Sequence, residues 1–462
     1  MGQVHKIKKG LDIRLVGEAD KVVTGSGALH TIMVSPEDFF GIRPKTLVTA
    51  GDEVLAGTPI MFDKNNEAHK IVSPVSGEVV EVVRGAKRKL LGIKILADKE
   101  TRYVEHGAVS LSSISAEDLT EKLCQAGLWS GIKMRPYNAI AFPELKPKAV
   151  FVSAFDSAPL APDFDFVVQG QEEAFELGLQ ALAKVSGAKV HLGVHAQKTK
   201  STAFLQTKAA QVHTFDGPHP SGLLSTQIGL ISPINRGEVV WTSGVQEVIA
   251  IGKFIQTGRF DATRLVALTG AGLKQRHYVR TVSGAPMSVL IEEGQTNGAH
   301  QRWISGNVLT GRKVGKDSYL GYFDSQVTLI EEGGEPEFFG WIAPGFNKFS
   351  LSRTFFSWAT PNKKYNLNTS MNGEERAFVV TGEYEKVFPL DILPVHLLKA
   401  IITGDIEQQE HLGIYEIVPE DFALCEFVCT SKIESQAIVE GAMLQLYGEL
   451  VDSMKPEEHH HG

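Results

Sequence analysis

The sequence predicts a multidomain chain of mixed α+β and α/β class, and three stretches carry that expectation. Val48 to Ile95 holds two tight-turn signals, Gly51-Asp52 and Ser76-Gly77, each followed by β-branched residues in near-alternation. That pattern marks short strands joined by tight turns. Lys146 to Val194 runs from an apolar stretch through an amphipathic helical pattern to a second apolar stretch, which is a βαβ unit with parallel pairing. Leu393 to Ile402 and Glu434 to Leu450 then return to helical spacing near the end of the chain. At 462 residues the chain has room for about three domains.

The first domain is expected over residues 1–104. Its phrases G-D-x-V-x-x-G and S-P-x-x-G-x-V resemble the barrel-sandwich hybrid fold of lipoyl and biotinyl domains, here spanning 36–104. A carrier of that fold presents a lysine at a hairpin tip. Lys64, in Asp63-Lys64-Asn65-Asn66, stands further from Pro74 than a carrier lysine does, and Lys70 stands too close to the following strand. We read both as surface lysines and the module as a scaffold.

The second domain, 105–257, is expected to be α/β and Rossmann-like. Ser115 is placed to cap a helix from Ala116 to Leu128, with Leu119, Leu123 and Leu128 near one face. Lys146 to Ala154 suits a buried strand. Gln171 to Val185 is amphipathic through Phe175, Leu179 and Leu182 and stops at Gly187. Ala188 to Val194 is the next strand, and Val239 to Trp241 with Gln246 to Phe254 makes another strand–helix pair. Over 258–330 the texture changes to a compact α+β segment. Strands are expected at Arg264–Gly270, Tyr278–Val282, Met287–Ile291 and Trp303–Gly306. Residues 331–462 form a mixed domain that ends in helices.

Composition narrows the function classes. Hydrophobic content of 43% and charged content of 22% are those of a globular protein. A net charge of −8 supplies no basic footprint for nucleic acid. Three cysteines, Cys124, Cys425 and Cys429, argue against a disulfide framework and for a reducing compartment. The basic start, Met1 to Leu11, lacks the apolar core of a signal peptide. No run reaches the roughly 18 apolar residues of a membrane span. The terminal His459-His460-His461 run is assigned no metal.

Signals for bound cofactors are sparse. Gly25-Ser26-Gly27 and Gly270-Ala271-Gly272 each give G-x-G without the third glycine that a dinucleotide loop requires. The second follows a strand, yet a tight turn is the better reading. Cys425 and Cys429 have too few companions for an iron–sulfur cluster or a zinc site and suit one buried helix face. His213 and His219 lack a carboxylate at ligand spacing. No nucleophile-elbow, zincin or Cys–His pattern is present.

An ordered set of phrases carries a resemblance. K-I-K-K-G-L-D-I near the start, G-I-R-P (41–44), G-P-H-P-S-G (217–222), V-T-L-I-E-E-G (327–333), F-F-G-W (338–341), M-N-G (371–373), P-L-D-I-L-P (389–394) and A-L-C-E-F-V-C (423–429) resemble the A subunit of the bacterial sodium-translocating NADH:quinone oxidoreductases, the Nqr complexes. The layout also resembles, more distantly, the nucleotide-binding subunit of complex I and the C subunit of the related Rnf complex. The 258–330 segment is similar to the soluble-ligand-binding β-grasp (SLBB) module of those relatives.

The resemblance implies a peripheral subunit on the cytoplasmic side of the bacterial inner membrane. It belongs to a complex that oxidises NADH, reduces ubiquinone or menaquinone and exports sodium. NADH, the flavins and the iron centre are implied to sit on partner subunits, including a membrane-embedded one. This chain is then expected to bind no cofactor, to meet quinone as substrate and to be inactive alone. The alternative is an Rnf-type electron-transfer subunit with its own flavin or iron–sulfur centre.

Two segments are candidates for a quinone-facing surface: Ile32 to Pro44, with Met33, Phe39, Phe40 and Arg43, and Trp129 to Tyr137, with Met134, Arg135 and Tyr137. Both set apolar side chains beside a guanidinium. A quinone needs apolar walls and donors at the carbonyl oxygens, where negative charge develops on reduction. A third stretch gathers Phe338, Phe339, Trp341, Phe349, Phe355, Phe356 and Trp358. That density exceeds what a small domain often buries, and part of it is expected to contact a membrane-subunit partner.

Overall fold

A computed structural model describes residues 3–455 except 26, 28, 29, 293, 294, 299, 335–338 and 340–344. Its organising element is a seven-stranded sheet ordered Val4–Lys6, Gln211–Asp216, Lys189–His195, Ala149–Ser153, Val240–Ser243, Ile132–Arg135, Ala139–Ile140. The first five run parallel; the last two close one edge as an antiparallel hairpin. Helices Glu172–Ser186 and Val245–Thr257 pack together over the sheet, and glycines make that approach possible. A Cβ on Gly178 would collide with the Val248 carbonyl, and one on Gly252 with the Ala174 carbonyl. The predicted caps hold: the Ser115 hydroxyl accepts the Asp118 amide at 3.0 Å, and Gly187 ends its helix at φ +65°.

The barrel module consists of two small antiparallel sheets, one of Thr31–Val34, Leu90–Ala97, Gly77–Arg84 and Glu53–Val54, the other of Pro44–Thr46, Pro59–Asp63 and Asn66–Val72. Ile32, Val34, Ile60, Ile71, Val79, Ile93 and Ile95 fill its interior and join the core of the α/β sheet.

The 258–330 segment builds a six-stranded mixed sheet ordered Arg312–Val314, Gln301–Ser305, Gln326–Glu331, Thr263–Thr269, His277–Val282, Asp20–Gly25. One expected strand is corrected: Met287–Leu290 is a short helix. Pro286 precedes it, and Met287 and Leu290, three apart, both point into the core, a helical rather than an alternating pattern. The N-terminal segment also behaves in a way its sequence did not signal. Val4–Lys6 edges the α/β sheet, Ile13 and Leu15 enter the C-terminal core, and Asp20–Gly25 edges the mixed sheet.

The C-terminal module packs Pro394–Thr403, Ala423–Val428 and Ser435–Ser453 around Phe388, Leu397, Leu398, Phe422 and Met443. No helix among the described residues is long and apolar enough to cross a membrane.

Candidate functional site

The two candidate segments meet on a third element. Tyr447, from the helix Ser435–Ser453, lies 5.9 Å from the Tyr137 ring and 6.2 Å from the Phe40 ring, centroid to centroid. Phe142 lies behind it at 6.2 Å, and His69 contacts Phe142 at 5.1 Å. The cluster therefore joins the barrel module, the edge hairpin of the α/β sheet and the last helix. Gly41 allows the approach, since a Cβ there would enter the Tyr447 ring, and its φ of +70° suits glycine. Trp129 Nε1 donates to the Ala141 carbonyl at 2.7 Å and His69 Nε2 contacts the same oxygen at 3.0 Å, which fixes the floor. Burial raises the Tyr447 and Tyr137 phenols above their ordinary range, so both stay protonated and able to donate.

Arg43 is exposed beside this cluster. Its main chain is pinned: its amide donates to Asp63 Oδ1 at 2.9 Å and its carbonyl accepts from Lys64 at 2.9 Å. Asn65 adds a bond to the Gly41 carbonyl at 3.3 Å. Lys64 does stand at a hairpin tip, but these bonds tie the tip to residues 41–43, which is unlike a swinging arm. The Asp452 carboxyl, held low chiefly by Lys455, also feels Arg43, which places the guanidinium near the helix that carries Tyr447.

Other candidate residues lie elsewhere. Phe39 is core, packed on Tyr322 at 5.0 Å and Phe323 at 5.5 Å. Met134 is core within its strand. Arg135 is 4% exposed, with Nη1 donating to Ser225 at 2.9 Å and Nη2 to Glu420 at 3.1 Å, so it clamps the α/β sheet to the C-terminal module. All three side chains are buried and packed against protein partners. Half-buried Met33 packs against Gly92 and Gly284, away from the aromatic cluster. Tyr447 was missed because its helix gave only a helical pattern, and nothing in the sequence marks which face meets residues 40 and 137.

A second feature is a cavity of about 460 Å³ at the carboxyl ends of Ala149–Ser153 and Val240–Ser243, where the strand order reverses. Open α/β sheets bind ligands at such a point. Asp38, Asp156, Glu247, Asp324 and Glu420 line it, with Arg312. Burial lifts the Asp38 carboxyl to about 6 despite Arg312 at 3.2 Å, and burial also raises Asp156. The helix beginning at Val245 turns its own Glu247 carboxylate back over Gly244, and Arg264 pairs with that carboxylate at 3.2 Å. A pyrophosphate needs free amides at such an N-terminus and would instead meet carboxylates. This lining does not fit a nucleotide or flavin phosphate.

Gly270 and Gly272 pack against the Leu329 backbone, and Gly270 donates to Gly17 at 2.8 Å, so this G-x-G is a tight packing turn. Cys425 and Cys429 are both buried, and burial pushes the Cys425 thiol up. Ser26 of the first G-x-G, Phe338, Trp341 and the terminal histidines lie outside the described residues.

A barrel-sandwich hybrid, an α/β domain and a mixed-sheet domain, closed by a helical module, define a multidomain protein of mixed α+β class. Residues 5–98 match the NqrA N-terminal barrel-sandwich hybrid domain, 114–260 the NqrA second alpha/beta domain and 265–316 the NQRA C-terminal (SLBB) domain. Similar proteins, each named as the A subunit of Na(+)-translocating NADH-quinone reductase, include one from Rhodopirellula baltica, 40% identical over 94% of this chain and 96% of that protein. Those from Yersinia pestis bv. Antiqua and Neisseria meningitidis serogroup A are each 37% identical, over 96% and 93% of this chain and 99% and 96% of theirs. The chain belongs to the NqrA family, the A subunits of the Na(+)-translocating NADH-quinone reductases. Among solved structures, an NAD+-reducing [NiFe]-hydrogenase chain aligns with 78% of this chain and 69% of its own at 12% identity. Its TM-score of 0.37 is too low to bear on function.

Proposed function

We propose that the chain is the quinone-associated peripheral subunit of a respiratory complex that couples NADH oxidation and ubiquinone or menaquinone reduction to Na+ export. It sits on the cytoplasmic side of the bacterial inner membrane against a membrane-embedded subunit. NADH, the flavins and the iron centre belong to its partners, and this chain is inactive alone. We further read the α/β domain as Rossmann-like and the whole layout as that of the nucleotide-binding subunit of complex I.

One observation carries the placement of quinone: Phe40 and Tyr137, far apart in sequence, converge on Tyr447 with Arg43 at the rim. The rings supply apolar walls for a flat head group. The phenols and the guanidinium supply donors for the carbonyl oxygens, whose negative charge grows as electrons arrive. Tyr447→Leu in the assembled complex should raise the quinone KM about tenfold, the order of one lost oriented contact. NADH oxidation by an artificial acceptor should be unchanged. Equal loss of both half-reactions would indicate misassembly, and an unchanged KM would remove the cluster from the quinone path. The alternative, a subunit with its own flavin or cluster, requires visible absorption from the purified chain.

A further inference from the structure

The loop 345–365 is built to hold some aromatics inside and others outside. Phe349 packs on Tyr365 at 5.5 Å and Phe427 at 6.1 Å, and Phe355 and Tyr365 are buried. The Ser357 hydroxyl donates to the Ser350 carbonyl at 3.1 Å and accepts the Ser350 amide at 3.2 Å, tying the two limbs. Arg14 Nε holds the Lys363 carbonyl at 3.1 Å. From 355 to 358 the side chains alternate, Phe355 and Ser357 in, Phe356 and Trp358 out. Phe346, 73% exposed, stacks on Phe356 at 5.3 Å, while Trp358 is 56% exposed beneath the Arg353 guanidinium. The core does not need these three rings.

The charge of this loop opposes that of the chain. Residues 345–365 contain Lys348, Arg353, Lys363 and Lys364 and no acidic residue, in a protein of net charge −8. Glu18, near its edge, is paired with Lys364 at 2.9 Å. Exposed Phe and Trp beside Lys and Arg match the boundary between acyl chains and anionic headgroups, where indole sits well and each basic group is attracted.

We propose that Phe346, Phe356, Trp358 and Arg353 form an interfacial patch that contacts an anionic lipid surface directly. This goes beyond the quinone reading and does not depend on it. The test is flotation of the full-length chain with vesicles of phosphatidylethanolamine and phosphatidylglycerol, against vesicles of phosphatidylcholine alone. Anionic vesicles should carry the protein, and high salt should release it. Arg353→Glu should weaken binding roughly tenfold, the worth of removing one attraction and adding a repulsion. The triple variant Phe346→Ser, Phe356→Ser, Trp358→Ser should weaken it by at least that factor while keeping its melting temperature. Because Arg353 is exposed, its variant reads the patch even if the triple variant folds poorly. Equal binding by wild type and Arg353→Glu would overturn the proposal. So would failure of wild type to float with anionic vesicles, and loss of the triple variant from the complex would then assign the patch to a protein partner.

Discussion

Two Arg-Pro pairs, Arg43-Pro44 and Arg135-Pro136, look alike in sequence and have opposite fates. Pro44 opens the strand Pro44–Thr46, which among the described residues pairs with Pro59–Asp63 alone, so the preceding Arg43 projects from a sheet edge. Arg135 ends the strand Ile132–Arg135, which lies between Val240–Ser243 and Ala139–Ile140 beneath the C-terminal module. A guanidinium at an edge is available to a ligand. The same group beneath a second module must find protein partners or forfeit its hydration. Strand position, not the local motif, separates a surface donor from a structural clamp.

The largest effect is expected from Arg135→Leu. Removing the guanidinium leaves Glu420 without its partner and the Ser225 hydroxyl without its donor, at a cost of about 3 kcal/mol. Thermal unfolding of the chain should show it as a clear fall in Tm. A rise in quinone KM with unchanged stability would break the comparison and return Arg135 to the surface.

Asp421, beside that clamp, sharpens the buried side. Its carboxylate accepts the Val418 amide at 2.8 Å, and burial, then Glu420, lift its pKa to about 7 against the pull of Arg135. A raised carboxyl keeps its proton in the folded state while the unfolded chain loses it. Its contribution is therefore complete below the ordinary 3.8 and is lost as pH rises towards about 7. Asp421→Asn keeps an acceptor for Val418 and carries no charge. Stability across this window should then flatten, with the variant gaining on the order of 2 kcal/mol over wild type above pH 7. Parallel stability–pH curves for the two proteins would refute this.

What the sequence made legible follows from the range of the forces involved. The helix at Ala116, the βαβ unit and the helices Pro394–Thr403 and Ser435–Ser453 were readable because capping and periodicity act within a few residues. Short-range signals also marked residues 40 and 137 as interesting. They said nothing of Tyr447, which reaches both only through tertiary packing. Phe39 and Phe40 show the same limit: neighbours in one phrase, one buried on Tyr322 and one turned to Tyr447. The strands lent by residues 4–6 and 20–25 to two distant sheets were invisible because their patterns are short and largely exposed.

The smallest stability effect belongs to Arg43→Leu, and it is the sharpest test of the comparison. The bonds that fix residue 43, from its amide to Asp63 and from Lys64 to its carbonyl, are main-chain bonds that leucine retains. Only the exposed guanidinium is lost, so the melting temperature should shift by no more than about 0.5 kcal/mol would produce. If Arg43 donates to a quinone carbonyl at the rim of the Phe40–Tyr447–Tyr137 cluster, a charge-assisted hydrogen bond worth roughly 1.5 kcal/mol disappears, and the quinone KM rises about tenfold. NADH oxidation with an artificial acceptor should hold steady, because leucine at this edge disturbs no packed neighbour. Arg43→Lys restores charge without the planar fork and should recover only part of the loss. An unchanged KM in both variants would show that an exposed arginine beside aromatic rings is not enough to make a quinone donor.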